Sequence, residues 1–99
     1  MLRCCVIRSY GDRATQFFAE GERVRAFEGF RHQAEKRLRV LESAAGLRDL
    51  AQLPSNRLEA LSGDRKGQYS IRINRQWRIC FEWPQRADGP ENVEIVDYH

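Results

Sequence analysis

The sequence predicts an α+β domain in which helices pack on one face of an antiparallel sheet. Apolar residues recur at three- and four-residue steps through residues 27–45 and at alternate positions through residues 69–83. The helical period comes first and the strand period follows, which is the order expected when helices gather on one face of a meander. A length of 99 residues predicts a single domain over residues 1–99.

The N-terminal half is predicted to form a strand and two helices. β-Branched and cysteine residues favour a strand over residues 3–9. Asp12 is expected to cap a short helix that ends at Ala19 and turns both Phe17 and Phe18 inward.

A longer helix is predicted over residues 27–45, with Gly46 ending it. His32 lies on this helix and is expected at its surface. A short leucine-bearing turn then leads to Pro54. The apolar positions of the helix are Phe27, Phe30, Ala34, Leu38, Leu41 and Ala45.

The C-terminal half is predicted to form four antiparallel strands, over residues 57–61, 69–73, 77–83 and 93–98. Asn74 and Arg75 form the expected turn between the second and third strands. The segment SGDRKG lacks the spacing and the Lys-Ser/Thr ending of a phosphate-binding P-loop, so we interpret it as a hairpin turn.

Strand alternation predicts that two arginines lie on one face of the sheet. If the apolar positions of the second and third strands face the helices, Arg72 and Arg78 lie on the opposite, exposed face. Residues 57–78 carry six cations against two anions, and arginine suits phosphate recognition. Codon bias in a GC-rich genome would explain the arginine content equally well.

Several classes of protein are excluded or disfavoured. No apolar run approaches the ~20 residues of a membrane span, and the N-terminus is too short and polar for a signal peptide, so the cytoplasm is expected. Cys4, Cys5 and Cys80 match no zinc spacing, and Cys80 is interpreted as a small packing residue. His32 and His99 lie on different elements, so we expect neither a metal nor a cofactor.

Two stretches, NRLEALSGDRKGQYSIRINRQWRICFEW and the terminal VEIVDYH, resemble the HigB branch of the RelE/ParE superfamily of bacterial toxins. The resemblance implies a compact microbial RNase-like fold, cleavage of messenger RNA in the ribosomal A site, and neutralisation by a HigA-type antitoxin. The shared pattern comprises Leu58, Leu61, Gly63, Asp64, Gly67, Ser70, Ile71, Trp77, Arg78, Ile79, Phe81, Asp97, Tyr98 and His99.

The resemblance also indicates an active surface. Arg78 matches the arginine of the WRI motif, and the chain ends in the matching triplet Asp97, Tyr98 and His99. Glu59 stands where some members have histidine, which makes it a candidate replacement base. Ser62 stands where they have lysine.

RNA cleavage through the 2′-hydroxyl needs a base, an acid and a positive charge at the phosphate. Glu59 and His99 are the candidate acid–base pair in either order, and Arg78 is the candidate charge stabiliser. Tyr98 is expected to stack on a base or orient the phosphate, and Asp97 to hold His99 or contact a base edge. The residues expected to contact RNA phosphates are Arg57, Arg65, Lys66 and Arg72.

The partners implied by the resemblance are a HigA-like helix-turn-helix antitoxin and the 70S ribosome A site with its messenger. Operator DNA is expected to be bound only through the antitoxin complex, and no membrane is involved. Two alternatives stay open at this point. One is a ParE-like toxin that poisons gyrase, and the other is a catalytically weak module that binds the antitoxin and regulates its operon.

Overall fold

The computed structural model describes residues 7–85, 87 and 89–97, and in that part of the chain helices precede a sheet. The helices are α1 (Arg13–Ala19), α2 (Arg31–Ser43) and α3 (Leu47–Ala51). The strands are β1 (Glu59–Ala60), β2 (Tyr69–Arg72), β3 (Trp77–Glu82) and β4 (Glu91–Asp97). Short 3₁₀ turns cover Arg25–Phe30, Pro54–Asn56 and Gly63–Arg65.

The four strands pair in chain order, β1-β2-β3-β4, with every neighbour antiparallel. This confirms the predicted α+β class and the meander. Ile71 pairs with Ile79, which pairs with Ile95, so that one apolar row crosses three strands. Because side chains alternate along a strand, this row defines the face that the helices cover.

The core lies between the helices and that face. The ring of Phe30 stacks on Trp77 with centroids 4.7 Å apart, which ties the start of α2 to β3. Helix and strand side chains therefore form one apolar cluster, as predicted. Its buried members are Phe18, Phe27, Phe30, Ala34, Leu38, Leu41, Ala44, Leu50, Ile71, Ile73, Ile79, Phe81, Val93 and Ile95.

The start of α1 is confirmed, because the Asp12 side chain accepts a hydrogen bond from the Thr15 amide at 2.8 Å. The expectation that both phenylalanines face inward is wrong for one of them. Phe18 is buried, whereas Phe17 is 45% exposed, since adjacent helical positions point about 100° apart. His32 is exposed, as expected.

The prediction of a single helix over residues 27–45 is wrong for the first turn. Residues Arg25–Phe30 form a 3₁₀ turn, and Phe30 leaves the helical region at φ −134° and ψ 29° before α2 begins. The apolar spacing is still met, because Phe27 and Phe30 are both buried. The predicted end is also wrong, because α2 ends at Ser43, Ala44 is extended at φ −75° and ψ 138°, and Gly46 directly precedes α3. Ala45, one of the predicted apolar positions, is exposed, and Ala44 is buried instead.

The predicted N-terminal strand is only partly within the described residues, since residues 3–6 lie outside them. In the described part, Tyr10 forms an isolated parallel bridge with Val93. The Gly11 amide donates to the Val93 carbonyl at 2.8 Å, and the Val93 amide donates to the Ser9 carbonyl at 3.1 Å. This segment therefore runs along the outer edge of β4.

The first and last strands of the sheet have different bounds from those predicted. β1 covers two residues instead of 57–61, because Arg57 adopts a left-handed conformation at φ 48° and ψ 52°. β4 begins at Glu91, two residues before the predicted start. The hairpin interpretation of SGDRKG is confirmed, since the Leu61 amide donates to the Gln68 carbonyl at 2.8 Å across that turn. Among the described residues, no helix has the length and apolar character to cross a membrane.

Candidate active site on the polar face of the sheet

The face opposite the helices carries polar side chains in register, and we call it the polar face. Glu59, Ser70, Cys80 and Glu94 form one row across the four strands. Arg72 pairs with Arg78 in an adjacent row. The two arginines therefore share a face, as strand alternation predicts.

Arg78 lies at the centre of the polar face, and its position corrects the prediction of an exposed arginine. It is only 9% exposed. Its Nε donates to Ser70 Oγ at 2.8 Å, and its Nη2 donates to the Arg57 carbonyl at 2.8 Å. The segment before β1 thus covers the guanidinium, whose charge is tolerated in the interior because it meets hydrogen-bond acceptors.

Glu59 joins this group from the short strand β1. Its Oε1 lies 3.5 Å from Nη2 of Arg78, and its side chain is 54% exposed. In this pair the guanidinium of Arg78 is therefore buried, whereas the carboxylate of Glu59 is open to solvent. A carboxylate in this position can exchange a proton with a bound molecule, while the neighbouring guanidinium supplies a fixed positive charge.

Asp97 lies at the end of β4, beside the strand that carries Arg78. It pairs with Trp77, so it belongs to the row that faces the helices. Its Oδ2 accepts a hydrogen bond from Gln76 Nε2 at 3.0 Å. β4 thus brings Asp97 beside the arginine-bearing strand but not onto the polar face. Tyr98 and His99 lie outside the described residues.

The four predicted phosphate-binding residues fall into two groups. Arg65 contacts Gln68 Oε1 at 2.9 Å and Glu94 Oε1 at 3.4 Å, and Arg72 donates from Nε to the Asn74 carbonyl at 3.1 Å. These two guanidinium groups are oriented by protein acceptors. By contrast, Arg57 and Lys66 are exposed, as is Ser62.

Cys80 lies beneath this polar network and is fully buried, which confirms that it is a packing residue. Burial raises the pKa of its thiol, and the nearby charges of Arg65 and Arg78 oppose that rise. The thiol is therefore a poor nucleophile in the folded protein.

Sequence reasoning assigned no role to Ser70 and did not consider the Arg57 carbonyl, yet both hold Arg78. The alternation signal contained Ser70, which lies on the same face as Arg78, but the carbonyl contact depends on tertiary folding.

Within the described residues, no cluster of three metal-ligating side chains is present. A cleft of about 400 Å³ lies elsewhere, between α2 and α3, with Val40, Ala44 and Leu53 in its lining.

Comparison with known proteins places this chain in a family. The model of the HigB-like toxins, described as the RelE-like toxin of the type II toxin-antitoxin system HigB, matches residues 9–99. The chain belongs to this family. It is also similar to Toxin HigB-1 of Vibrio cholerae serotype O1, with 36% identity over 85 residues that span 85% of this chain and 86% of that protein. The protein is therefore a type II toxin, and a toxin of this type has an antitoxin partner.

Proposed function

We propose that this toxin is an endoribonuclease that cleaves messenger RNA in the ribosomal A site through the adjacent 2′-hydroxyl, without a metal ion. The observation that carries the proposal is the Arg78–Glu59 pair on the polar face. It combines a buried, oriented guanidinium with a half-exposed carboxylate 3.5 Å away. Membership in the HigB-like family supports the same activity.

In the proposed reaction, the ribose 2′-oxygen attacks the neighbouring phosphorus and the bond from phosphorus to the 5′-oxygen breaks. Glu59 takes the proton of the 2′-hydroxyl, and His99 returns a proton to the departing 5′-oxygen. Arg78 stabilises the extra negative charge on the phosphorus oxygens. A positioned acid or base contributes roughly 10²–10⁴-fold to such a reaction.

The messenger is held by the arginine-rich surface in this proposal. Arg57 and Lys66 are exposed and meet phosphates directly, whereas Arg65 exchanges its contact with Glu94 for one with RNA. Arg72 supplies a further phosphate contact, Tyr98 stacks on a base, and Asp97 orients the chain end. The ribosome presents the messenger and supplies the remaining binding surface, so the toxin acts in the cytoplasm.

The antitoxin is proposed to be a HigA-like helix-turn-helix protein. It neutralises the toxin, and the complex of the two proteins binds operator DNA. The family membership supports an antitoxin partner, and co-purification with the product of an adjacent gene tests which protein fills that role.

Primer extension on messenger translated in a purified system tests the proposed activity. Wild-type toxin should give cuts in phase with codons, and a messenger without a start codon should stay intact. Arg78→Ala, Glu59→Gln and His99→Ala should each abolish the cuts, whereas His32→Ala, an exposed change on α2, should keep them. Intact translated messenger at high toxin concentration would contradict the proposal, and inhibition of gyrase supercoiling would then favour the ParE-like alternative.

A further inference from the structure

The segment that covers Arg78 is held in an unusual conformation. Arg57 has a left-handed backbone, with φ 48° and ψ 52°, a region that residues other than glycine seldom occupy. In this conformation its carbonyl accepts the hydrogen bond from Arg78 Nη2 at 2.8 Å. Backbone strain of this kind persists where the surrounding structure enforces it and often occurs at functional sites.

Asn56 is the residue that fixes this segment. It is fully buried, its Oδ1 accepts from Arg37 Nη1 at 2.6 Å, and its Nδ2 donates to the Leu50 carbonyl at 3.0 Å. The amide therefore ties α2 and α3 to the residue that precedes Arg57. These two hydrogen bonds thus help to place the Arg57 carbonyl from the helix side.

Ser70 holds the guanidinium from the sheet side. It is fully buried on β2, and its Oγ accepts from Arg78 Nε at 2.8 Å. Two acceptors on separate elements thus hold two nitrogens of the planar group, the Ser70 hydroxyl through Nε and the Arg57 carbonyl through Nη2. Two such hydrogen bonds define the plane of a guanidinium as well as its position.

We infer that Ser70 and Asn56 are positioning residues for the proposed cleavage, because together they set the orientation in which Arg78 meets the phosphate. Ser70 acts on the guanidinium directly, and Asn56 acts through the Arg57 carbonyl. The inference rests on the proposed function. Neither residue touches the RNA in this arrangement. Loss of the Ser70 hydroxyl, which contacts the guanidinium, therefore lowers the rate of the chemical step rather than the affinity for the ribosome.

A double-mutant cycle between Ser70→Ala and Arg78→Lys tests the inference. Single-turnover cleavage is measured with toxin in excess over programmed ribosomes, which separates the maximal rate from the half-saturating concentration. In the wild-type background, Ser70→Ala should lower the maximal rate about 10- to 100-fold, as expected for a reacting group misplaced by about an ångström. The half-saturating concentration should change by less than about twofold, because the contacts that bind the ribosome and messenger before the chemical step are unchanged.

In the Arg78→Lys background, the same Ser70→Ala change should cost less than about threefold, because the lysine ammonium has no guanidinium plane to orient. Ser70→Thr keeps the hydroxyl and should retain most of the wild-type rate. Asn56→Asp keeps the acceptor for Arg37 but loses the donor to Leu50, and it should behave like Ser70→Ala in the same cycle.

Cys80→Ala is the matched control, since it removes one buried heavy atom from the position that pairs with Ser70. It should leave the maximal rate unchanged. If Ser70→Ala does not fold, Ser70→Cys replaces it, because a thiol fills the site but is a weak acceptor.

The positioning role would be overturned if Ser70→Ala lowers the maximal rate equally in the wild-type and Arg78→Lys backgrounds. It would also be overturned if Cys80→Ala lowers that rate as much as Ser70→Ala does. In both cases, cleavage by the wild-type toxin would still support the proposed function. If the wild-type toxin cuts no translated messenger, the proposed function fails and the positioning role fails with it.

Discussion

The two faces of the sheet bury their side chains by different means. On the helix-covered face, Ile71, Ile79 and Phe81 are fully buried in apolar contacts. On the polar face, Ser70 is fully buried and Arg78 nearly so, and a hydrogen bond joins them. Apolar contacts have no preferred direction, whereas hydrogen bonds do. We therefore expect changes on the first face to cost mainly stability and changes on the second to cost mainly orientation.

The largest expected effect on stability is on the helix-covered face. Phe81→Ala removes a fully buried ring and should lower the free energy of unfolding by about 3–5 kcal/mol, measured by urea denaturation. Phe17→Ala, which truncates a 45% exposed ring, is the control and should cost less than about 1 kcal/mol. Equal losses at the two positions would contradict the assignment of this face as the core.

On the polar face, Arg78→Met should separate stability from activity. The variant keeps an aliphatic chain but loses the hydrogen bonds to Ser70 and Arg57, which should cost about 1–3 kcal/mol of unfolding free energy. Cleavage of translated messenger should fall by about 10²–10³ because the oriented charge is gone. Recovery of cleavage at a lower temperature would show instead that the loss came from unfolding.

A smaller change in stability is expected at the Arg65–Glu94 pair, whose side chains are 38% and 24% exposed. Glu94→Gln should alter the free energy of unfolding by less than about 1 kcal/mol. It should also free Nη2 of Arg65 from Glu94, while Gln68 still holds Nη1, and so lower the half-saturating toxin concentration, with a steeper dependence on salt. Glu91→Gln, which breaks the Arg8–Glu91 pair at 3.3 Å, is the control on the same strand. Identical affinities for both variants would argue against an RNA contact by Arg65.

The smallest effect is the pH dependence that Cys80 contributes. Burial raises the pKa of its thiol in the folded protein, whereas the unfolded thiol ionises near ~8.5. As the pH rises above that value the unfolded chain binds fewer protons than the folded one, so stability falls; below it this group contributes no pH dependence. Denaturation at about pH 7 and about pH 9.5 should show a smaller decline for Cys80→Ala than for the wild type. Parallel declines would contradict the raised pKa.

Local signals predicted the features that depend on neighbouring residues. The two-residue period placed Ile71 and Ile79 in the core, and the Asp12 capping signal located the start of α1. The same period placed Arg72 and Arg78 on one face. These outcomes follow from the geometry of single helices and strands, which the sequence encodes within a few positions.

Features that depend on distant segments were not predicted. Arg78 is buried because residues around Arg57 fold over the polar face, and Asn56 holds them there through Arg37, 19 positions away in the chain. No periodic pattern carries that information. Asp97 lies on the same side of the sheet as Trp77 because β4 pairs with β3 in the register that sets the two residues opposite each other. That register cannot be derived from one strand alone.

Because β1 is short, Glu59 is held less firmly than Arg78 in the candidate site. Glu59 stands on a two-residue strand that is exposed on both positions, so its ladder to β2 opens at little cost in free energy. Arg78, in contrast, is 9% exposed and donates hydrogen bonds to Ser70 Oγ and the Arg57 carbonyl. In the proposed reaction, an entering nucleotide would therefore displace the carboxylate more readily than the guanidinium. Amide hydrogen exchange should be faster at Glu59 than at Arg78.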